Sequence, residues 1–201
     1  MNIVCLDLEG VLIPEIWKAV AAETGVEGLT RTTRDEPDYN VLMRYRLDLL
    51  EQHGITLPQI QEIIATLSPL EGGKAFLDWL RGQTRVIILS DTFAEFAQPL
   101  MAQLDYPTLF CHELEVTGDG GITGYRLRQQ DQKRKAVEAF RSLNFRIIAA
   151  GDSYNDLTML QSADHGILFR ASDAFIAENP NFPALFEYAD LRAELDRLLK
   201  A

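Results

Sequence analysis

The sequence predicts an α/β protein: a doubly wound parallel sheet with a small helical insertion after its first strand and a single β-hairpin. Three observations carry that prediction. Short apolar runs rich in β-formers occur at residues 2–8 (NIVCLDL), 85–90 (RVIILS), 146–150 (RIIAA) and 165–169 (HGILF). Their hydrophobicity is continuous rather than alternating, the pattern of strands covered on both faces. Helical patterns separate the last three, and strands that alternate with helices pair in parallel.

In chain order, the first run ends in two carboxylates, Asp7 and Glu9, and leads into three helical stretches without a strand signal. These are PEIWKAVAAETG, PDYNVLMRYRLDLLEQHG and TLPQIQEIIATLSP. In the second, Val41, Leu42, Tyr45 and Leu49 recur at helical spacing and predict its buried face. Proline and glycine mark the joins. The expected division is a helical domain at 14–69 inserted into a core domain formed by 1–13 and 70–201, which the chain re-enters at LEGGKAFLDWLRG. The stretch HELEVTGDGGITGYRLR alternates on both sides of a Gly-Asp-Gly-Gly turn and predicts the hairpin. DQKRKAVEAFRSL predicts a helix capped by Asp131, with Ala136, Val137, Phe140 and Leu143 on its buried stripe. No internal repeat or low-complexity tract breaks this order.

A chain of 201 residues is long enough for one domain with a substantial core, or a core plus a small insertion. The net charge of −11 argues against a nucleic-acid or anionic-membrane partner, since both reward a basic face. It does not exclude an anionic small-molecule substrate, provided a metal or local cations offset the field. The two cysteines, Cys5 and Cys111, lie in apolar runs and suggest neither a disulfide framework nor a zinc cluster. With no secretory leader pattern and no apolar run of membrane-spanning length, the expectation is a reducing, cytoplasmic compartment. A homodimer is the default expectation for oligomeric state.

In parallel α/β sheets, ligands bind beyond the carboxyl ends of the strands. Three of the runs end in polar residues: Asp7-Leu8-Glu9, Ser90-Asp91-Thr92 and Gly151-Asp152-Ser153-Tyr154-Asn155-Asp156. An extended chain puts Asp7 and Glu9 on one side, and a helix start puts Asp152 and Asp156 on one face. Such carboxylates repel one another unless a hard cation joins them, and magnesium prefers oxygen ligands of this kind. Lys133 extends the buried stripe of its helix, whereas Lys135 does not. Alone it reads as a snorkelling stem; beside an anion site it becomes a phosphate partner.

Asp7-x-Glu9-Gly-Val, Ser90 after an apolar strand, Lys133 and Gly151-Asp152-x-x-Asn155-Asp156 resemble, in order, the four motifs of haloacid dehalogenase-like phosphatases. The resemblance spans the chain, and the helical insertion resembles the small cap of that family. It implies that Asp7 is the nucleophile and becomes an aspartyl-phosphate. It implies magnesium (Mg2+) held by Asp7, Asp152 and the backbone carbonyl of Glu9. Ser90 would donate to the transferring oxygens, Lys133 would pair with them, and Glu9 would act as general acid and base. Asn155 and Asp156 would orient the site, Asp156 from behind the metal ligands. Asp91 and Thr92 would join Ser90 in binding substrate.

Two positions depart from the common family pattern. Glu9-Gly10 stands where most relatives have aspartate and a small hydroxyl residue. Ser90-Asp91-Thr92 replaces the Ser-Gly-Gly of typical phosphoserine phosphatases. DLEGVLIPEIW, PDYNVLM, LSDTF and GDSYND look like a narrower group, the bifunctional phosphoserine phosphatase/homoserine phosphotransferases. That likeness implies phosphoserine and homoserine as substrates. It assigns Glu15 to the substrate ammonium, Arg46 to its carboxylate, and Tyr39 and Thr33 to the same pocket. From spacing alone, Glu15 is an ordinary acid at a helix start and Arg46 a surface partner of Asp48 or Glu51; only the resemblance reverses this.

Three rivals fit less well. LDLEG alone would suit a two-metal 3′–5′ exonuclease, but that chemistry needs further acids and a nucleic-acid substrate. A receiver domain places its acceptor aspartate on a later strand and has no helical insertion. A phosphatase for another small phosphorylated metabolite is the serious alternative.

Overall fold

The computed structural model describes residues 1–200 except 33, 34 and 37. The predicted β/α alternation is present, and it places the chain's first strand at the centre of a seven-stranded sheet. The strands are β1 (Asn2–Leu6), β2 (Arg85–Phe93), β3 (Leu109–Val116), β4 (Ile122–Arg126), β5 (Arg146–Gly151), β6 (His165–Phe169) and β7 (Ala184–Leu185). Their spatial order is β4-β3-β2-β1-β5-β6-β7, parallel throughout except for the β3–β4 hairpin. Val4 of β1 pairs with Val86 on one side and Ile148 on the other.

Strand period two then sorts the core into two layers. Val4 and Leu6 face one layer, with Phe76, Leu77 and Leu80 of α4 (Gly73–Gln83), Phe96 of α5 (Ala94–Met101) and Leu191, Leu195 and Leu198 of α9 (Tyr188–Lys200). Ile3 and Cys5 face the other, with Val137 of α6 (Gln132–Ser142), Met159 of α7 (Leu157–Ser162) and Phe175 of α8 (Asp173–Glu178). Helices on both faces explain why the strand runs are apolar at every position.

Between β1 and α4 lie α1 (Ile16–Thr24), α2 (Tyr39–His53) and α3 (Leu57–Ala65). The punctuation works as read. Gly25 and Gly54 close α1 and α2 in left-handed geometry, and Asp38 caps α2 by accepting from the Asn40 and Val41 amides. The three helices join the first core layer through Ile16, Val20, Met43, Leu50, Ile60 and Ile64. Among the described residues no helix is long and apolar enough to cross a membrane.

Several local expectations need correction. The buried stripe of α2 is Leu42, Met43, Arg46 and Leu50, while Val41 is 50% exposed. Treating Arg46 as a surface residue rotated the expected face. Leu143 lies past the end of α6 and is exposed rather than buried. Asp131 does precede α6, but in a left-handed conformation, and its carboxylate accepts from Thr158 and Arg134 instead of capping the helix. β1 stops at Leu6, β2 runs on to Phe93 through an irregularity, β3 begins ahead of the hairpin to pair with β2, and β7 had no sequence signal.

Candidate active site

The polar ends of β1, β2 and β5 come together because those strands are neighbours. The Asp7 amide still donates to the Ala150 carbonyl at 3.0 Å, so its carboxylate is delivered by regular sheet geometry. The chain then turns sharply: the Leu12 and Ile13 amides both donate to the Leu8 carbonyl, and Gly10 has φ +76°. Gly10 suits this place twice over, since a Cβ there would also lie 2.6 Å from Asp152 Oδ2.

Asp7 is 4% exposed and Lys133 2%. Lys133 Nζ donates to Asp7 Oδ1 at 2.8 Å and to Asp156 Oδ1 at 2.7 Å, and lies 3.6 Å from Asp91 Oδ2. Burial on its own would lower the Lys133 ammonium; Asp156 and Asp7 hold it well above the ordinary lysine range. The other Asp156 oxygen accepts from the Asp152 and Ser153 amides at 3.0 and 3.2 Å. Gly151 permits that approach, because a Cβ there would sit 2.4 Å from Asp156 Cγ.

Carboxylate oxygens of Asp7, Asp152 and Asp156 lie within 4.8 Å of one another. An oxygen-only donor set of this size fits a hard divalent cation. Asp156 spends both oxygens on Lys133 and the backbone, whereas Asp7 Oδ2 and Asp152 Oδ2 accept no hydrogen bond among the described residues. Those two are the oxygens open to a cation. Burial, then repulsion from Asp156, raises Asp7 well above its ordinary value; the same causes push Asp152 up to about 7.

Glu9 reaches the cavity from the turn, not as the next in-phase strand residue. Its Oε2 accepts from the Ile16 amide at the start of α1 at 2.9 Å, and the Thr92 hydroxyl bonds the same carboxylate. Burial pushes Glu9 up to about 7, with the Ile16 amide opposing. Its side chain is not part of the acid cluster. Ser90 is buried; its Oγ accepts from the Thr92 amide at 3.2 Å, and its hydroxyl proton has no protein acceptor among the described residues.

Asp7, Glu9, Glu15, Arg46, Ser90 and Asp152 line one cavity of about 380 Å³, together with Tyr39, Asp91, Thr92 and Asn155. A larger hollow of about 680 Å³ adjoins it through Tyr39, Asp91 and Asn155 but does not reach Asp7, so the smaller one is the site. Arg46 is buried here, not a surface partner of Asp48 or Glu51, and burial pushes its guanidinium down to about 10. Glu15 stands just before α1, makes no capping bond, and pairs at 3.4 Å with Lys18. Tyr39 donates to the Asp91 carbonyl at 3.2 Å and Asn155 to Asp91 Oδ2 at 3.0 Å. Thr33 lies outside the described residues.

Sequence reasoning missed His112 and Gln132. His112 is 3% exposed; its Nδ1 accepts from the Arg128 amide, so the proton sits on Nε2, which lies 3.5 Å from Asp91 Oδ1. Gln132 donates to the Ser90 carbonyl at 2.8 Å and to Asp91 at 3.3 Å. Burial alone would raise the Asp91 carboxyl, but Lys133, His112 and Asn155 hold it well below the usual carboxylate range. A histidine inside a hairpin pattern gives no signal of this role; Gln132, next to Lys133 at a helix start, was the more accessible clue.

A family model described as haloacid dehalogenase-like hydrolase matches residues 1–164. Phosphoserine phosphatase ThrH of Pseudomonas aeruginosa is 59% identical over 194 residues, covering 96% of this chain and 95% of that protein. A phosphoserine phosphatase of Pseudomonas syringae is 58% identical, covering 96% of this chain and 82% of that one. Among solved structures, a substrate-bound phosphoserine phosphatase complex matches with a TM-score of 0.78 at 21% identity, covering 98% of this chain and 97% of the other. At that identity the likeness speaks for the fold.

Proposed function

The chain belongs to the haloacid dehalogenase-like hydrolases, and from that premise we propose that it is a magnesium-dependent phosphoserine phosphatase that also transfers the phosphoryl group to homoserine. One observation carries this reading. The Asp7 carboxylate ends the central strand, 2.8 Å from a buried ammonium and beside a second open carboxylate, in a cavity whose other wall holds Arg46 and Glu15. The 59% identity to a phosphoserine phosphatase supports the choice of substrate.

In this reading Asp7 attacks phosphorus, the bond to the serine oxygen breaks, and Glu9 gives that oxygen its proton. A carboxyl pushed up to about 7 still holds a proton to give near neutrality. Glu9, now ionised, takes a proton from water or the homoserine hydroxyl, whose oxygen attacks phosphorus and releases Asp7. Lys133 and the Ser90 hydroxyl stabilise the transferring oxygens, while Asp156 and Asn155 hold the site in place. Magnesium, held by Asp7, Asp152 and the Glu9 carbonyl, would neutralise charge on those oxygens when bound. Residues 14–69 act as the cap, with Arg46 taking the substrate carboxylate, Glu15 its ammonium, and Tyr39, Asp91 and Thr92 completing the pocket. Homoserine carries the same two groups and one more methylene, so the same pair can hold it. A cytoplasmic location suits the two free thiols, Cys5 and Cys111.

The test is a panel of phosphomonoesters assayed with magnesium or EDTA, with homoserine added or withheld. Phosphoserine should be preferred, EDTA should abolish turnover, and homoserine should divert label from inorganic phosphate into phosphohomoserine. Label found only in inorganic phosphate across the titration would remove the transferase activity. Equal rates across the panel would favour a phosphatase for another small metabolite.

Stability gives a check on the metal that is independent of turnover. Asp152 ionises near 3.8 when unfolded but near 7 in the fold, so the metal-free fold loses stability as pH rises through that window. Magnesium needs the ionised form. Its addition should raise Tm more at pH 8 than at pH 5, and equal shifts in thermal scans at both would count against this site.

A further inference from the structure

Arg46 is 7% exposed, and a guanidinium that deep needs acceptors for its N–H groups. Its Nη2 donates to the Arg31 carbonyl at 2.6 Å, and Nη1 finds only the Met43 sulfur at 3.8 Å. Nε is buried and has no partner among the described residues. The group meets an aromatic ring instead: its central carbon lies over the Trp17 ring, 4.6 Å from its centre. Trp17 is the second residue of α1, and Phe96 of α5 braces it edge-on at 5.2 Å and 70°. Trp17 and Arg46 line the same cavity as Asp7.

A guanidinium over an indole is held by cation–π attraction, which leaves its N–H groups for acceptors. The ring therefore limits how the guanidinium can turn, the Arg31 carbonyl holds Nη2, and the other N–H groups have no oxygen acceptor among the described residues. Arg46 lines the cavity, and a substrate carboxylate there can supply oxygen acceptors that the guanidinium lacks. We propose that Trp17 is the positioning residue for the substrate carboxylate, holding the Arg46 guanidinium in place before substrate arrives. This rests on the reading of Arg46 given above.

The experiment compares phosphoserine with phosphoethanolamine, which keeps the ammonium and lacks the carboxylate, in the magnesium-loaded enzyme. Trp17→Leu should lower kcat/KM for phosphoserine by about ten-fold, chiefly through KM, and reduce the preference for phosphoserine over phosphoethanolamine by a similar factor. Trp17→Phe retains a ring and should lose only about two- to three-fold; it also serves if the leucine variant folds poorly. In the Arg46→Ala background, changing Trp17 should cost no further preference. If the Trp17 variants slow both monoesters alike while Arg46→Ala collapses the preference, Trp17 is packing alone and the proposal is overturned. If Arg46→Ala itself leaves the preference intact, the assignment of Arg46 falls first and the proposal falls with it.

Discussion

Asp7→Asn is expected to leave a folded protein whose kcat for phosphoserine is lower by about 10⁴-fold or more, roughly 5 kcal/mol of barrier. Asparagine keeps the shape of the side chain, and its amide oxygen can still accept from Lys133 in place of Asp7 Oδ1. What it loses is the carboxylate proposed to attack phosphorus. The effect on stability should have the opposite sense. Asp7 is raised well above its ordinary value by burial and by Asp156, so its ionised form strains the metal-free fold at neutral pH. Removing that charge should hold or raise the metal-free Tm, and the increment from magnesium should shrink because one ligand is weakened. Single-turnover assays and thermal scans on one preparation separate the two effects. Turnover at the parent rate would end the case for an aspartyl-phosphate on this residue.

The parts of this protein that were legible in its sequence are those with a local physical signal. A continuous apolar run such as RIIAA can only be covered on both faces, and the two core layers on either side of β1 follow from that. Carboxylates at the end of such runs mark the sheet edge where ligands bind. Lys133 was readable only beside those carboxylates, since its place on an apolar stripe alone also suits a snorkelling stem.

What stayed hidden depends on partners far away in the chain. Lys133 and Asp7 are 126 positions apart, and no spacing rule pairs them. Spacing alone reads Arg46 as a surface residue, and only the family resemblance puts it in the pocket; its burial depends on the Trp17 ring and the Arg31 carbonyl. His112 owes its role to β3 pairing with β2, which starts ahead of the alternating hairpin pattern. Glu9 illustrates the middle case: its chemistry was evident, but its position comes from a left-handed turn at Gly10 and a helix N-terminus, not from strand alternation.

Lys133→Met should be the most damaging single change to the fold among the site residues, and its pH dependence identifies the cause. A lysine held well above its ordinary pKa contributes its stability in full below the unfolded value of 10.5 and loses it only as pH rises through the folded value, so the whole contribution is present at pH 7. Methionine fills the space but leaves Asp7 and Asp156 buried without their cation, a loss of about 3–5 kcal/mol. Asp7 then takes up its proton at a still higher pH than in the parent, while the unfolded chain releases its own near 3.8. The folded variant therefore binds a proton that the unfolded chain lacks, and its stability falls as pH rises through that interval. In denaturant titrations the deficit against the parent should shrink as pH falls from the folded Asp7 pKa of the variant to that of the parent. Magnesium should restore part of the stability, because it answers the same charge. It should not restore kcat, expected to be down by about 10²–10³-fold, because in the proposed mechanism the lost ammonium pairs with the transferring oxygens. A deficit that does not change with pH would mean that the lysine acts through packing, and that the charge balance argued for this site is wrong.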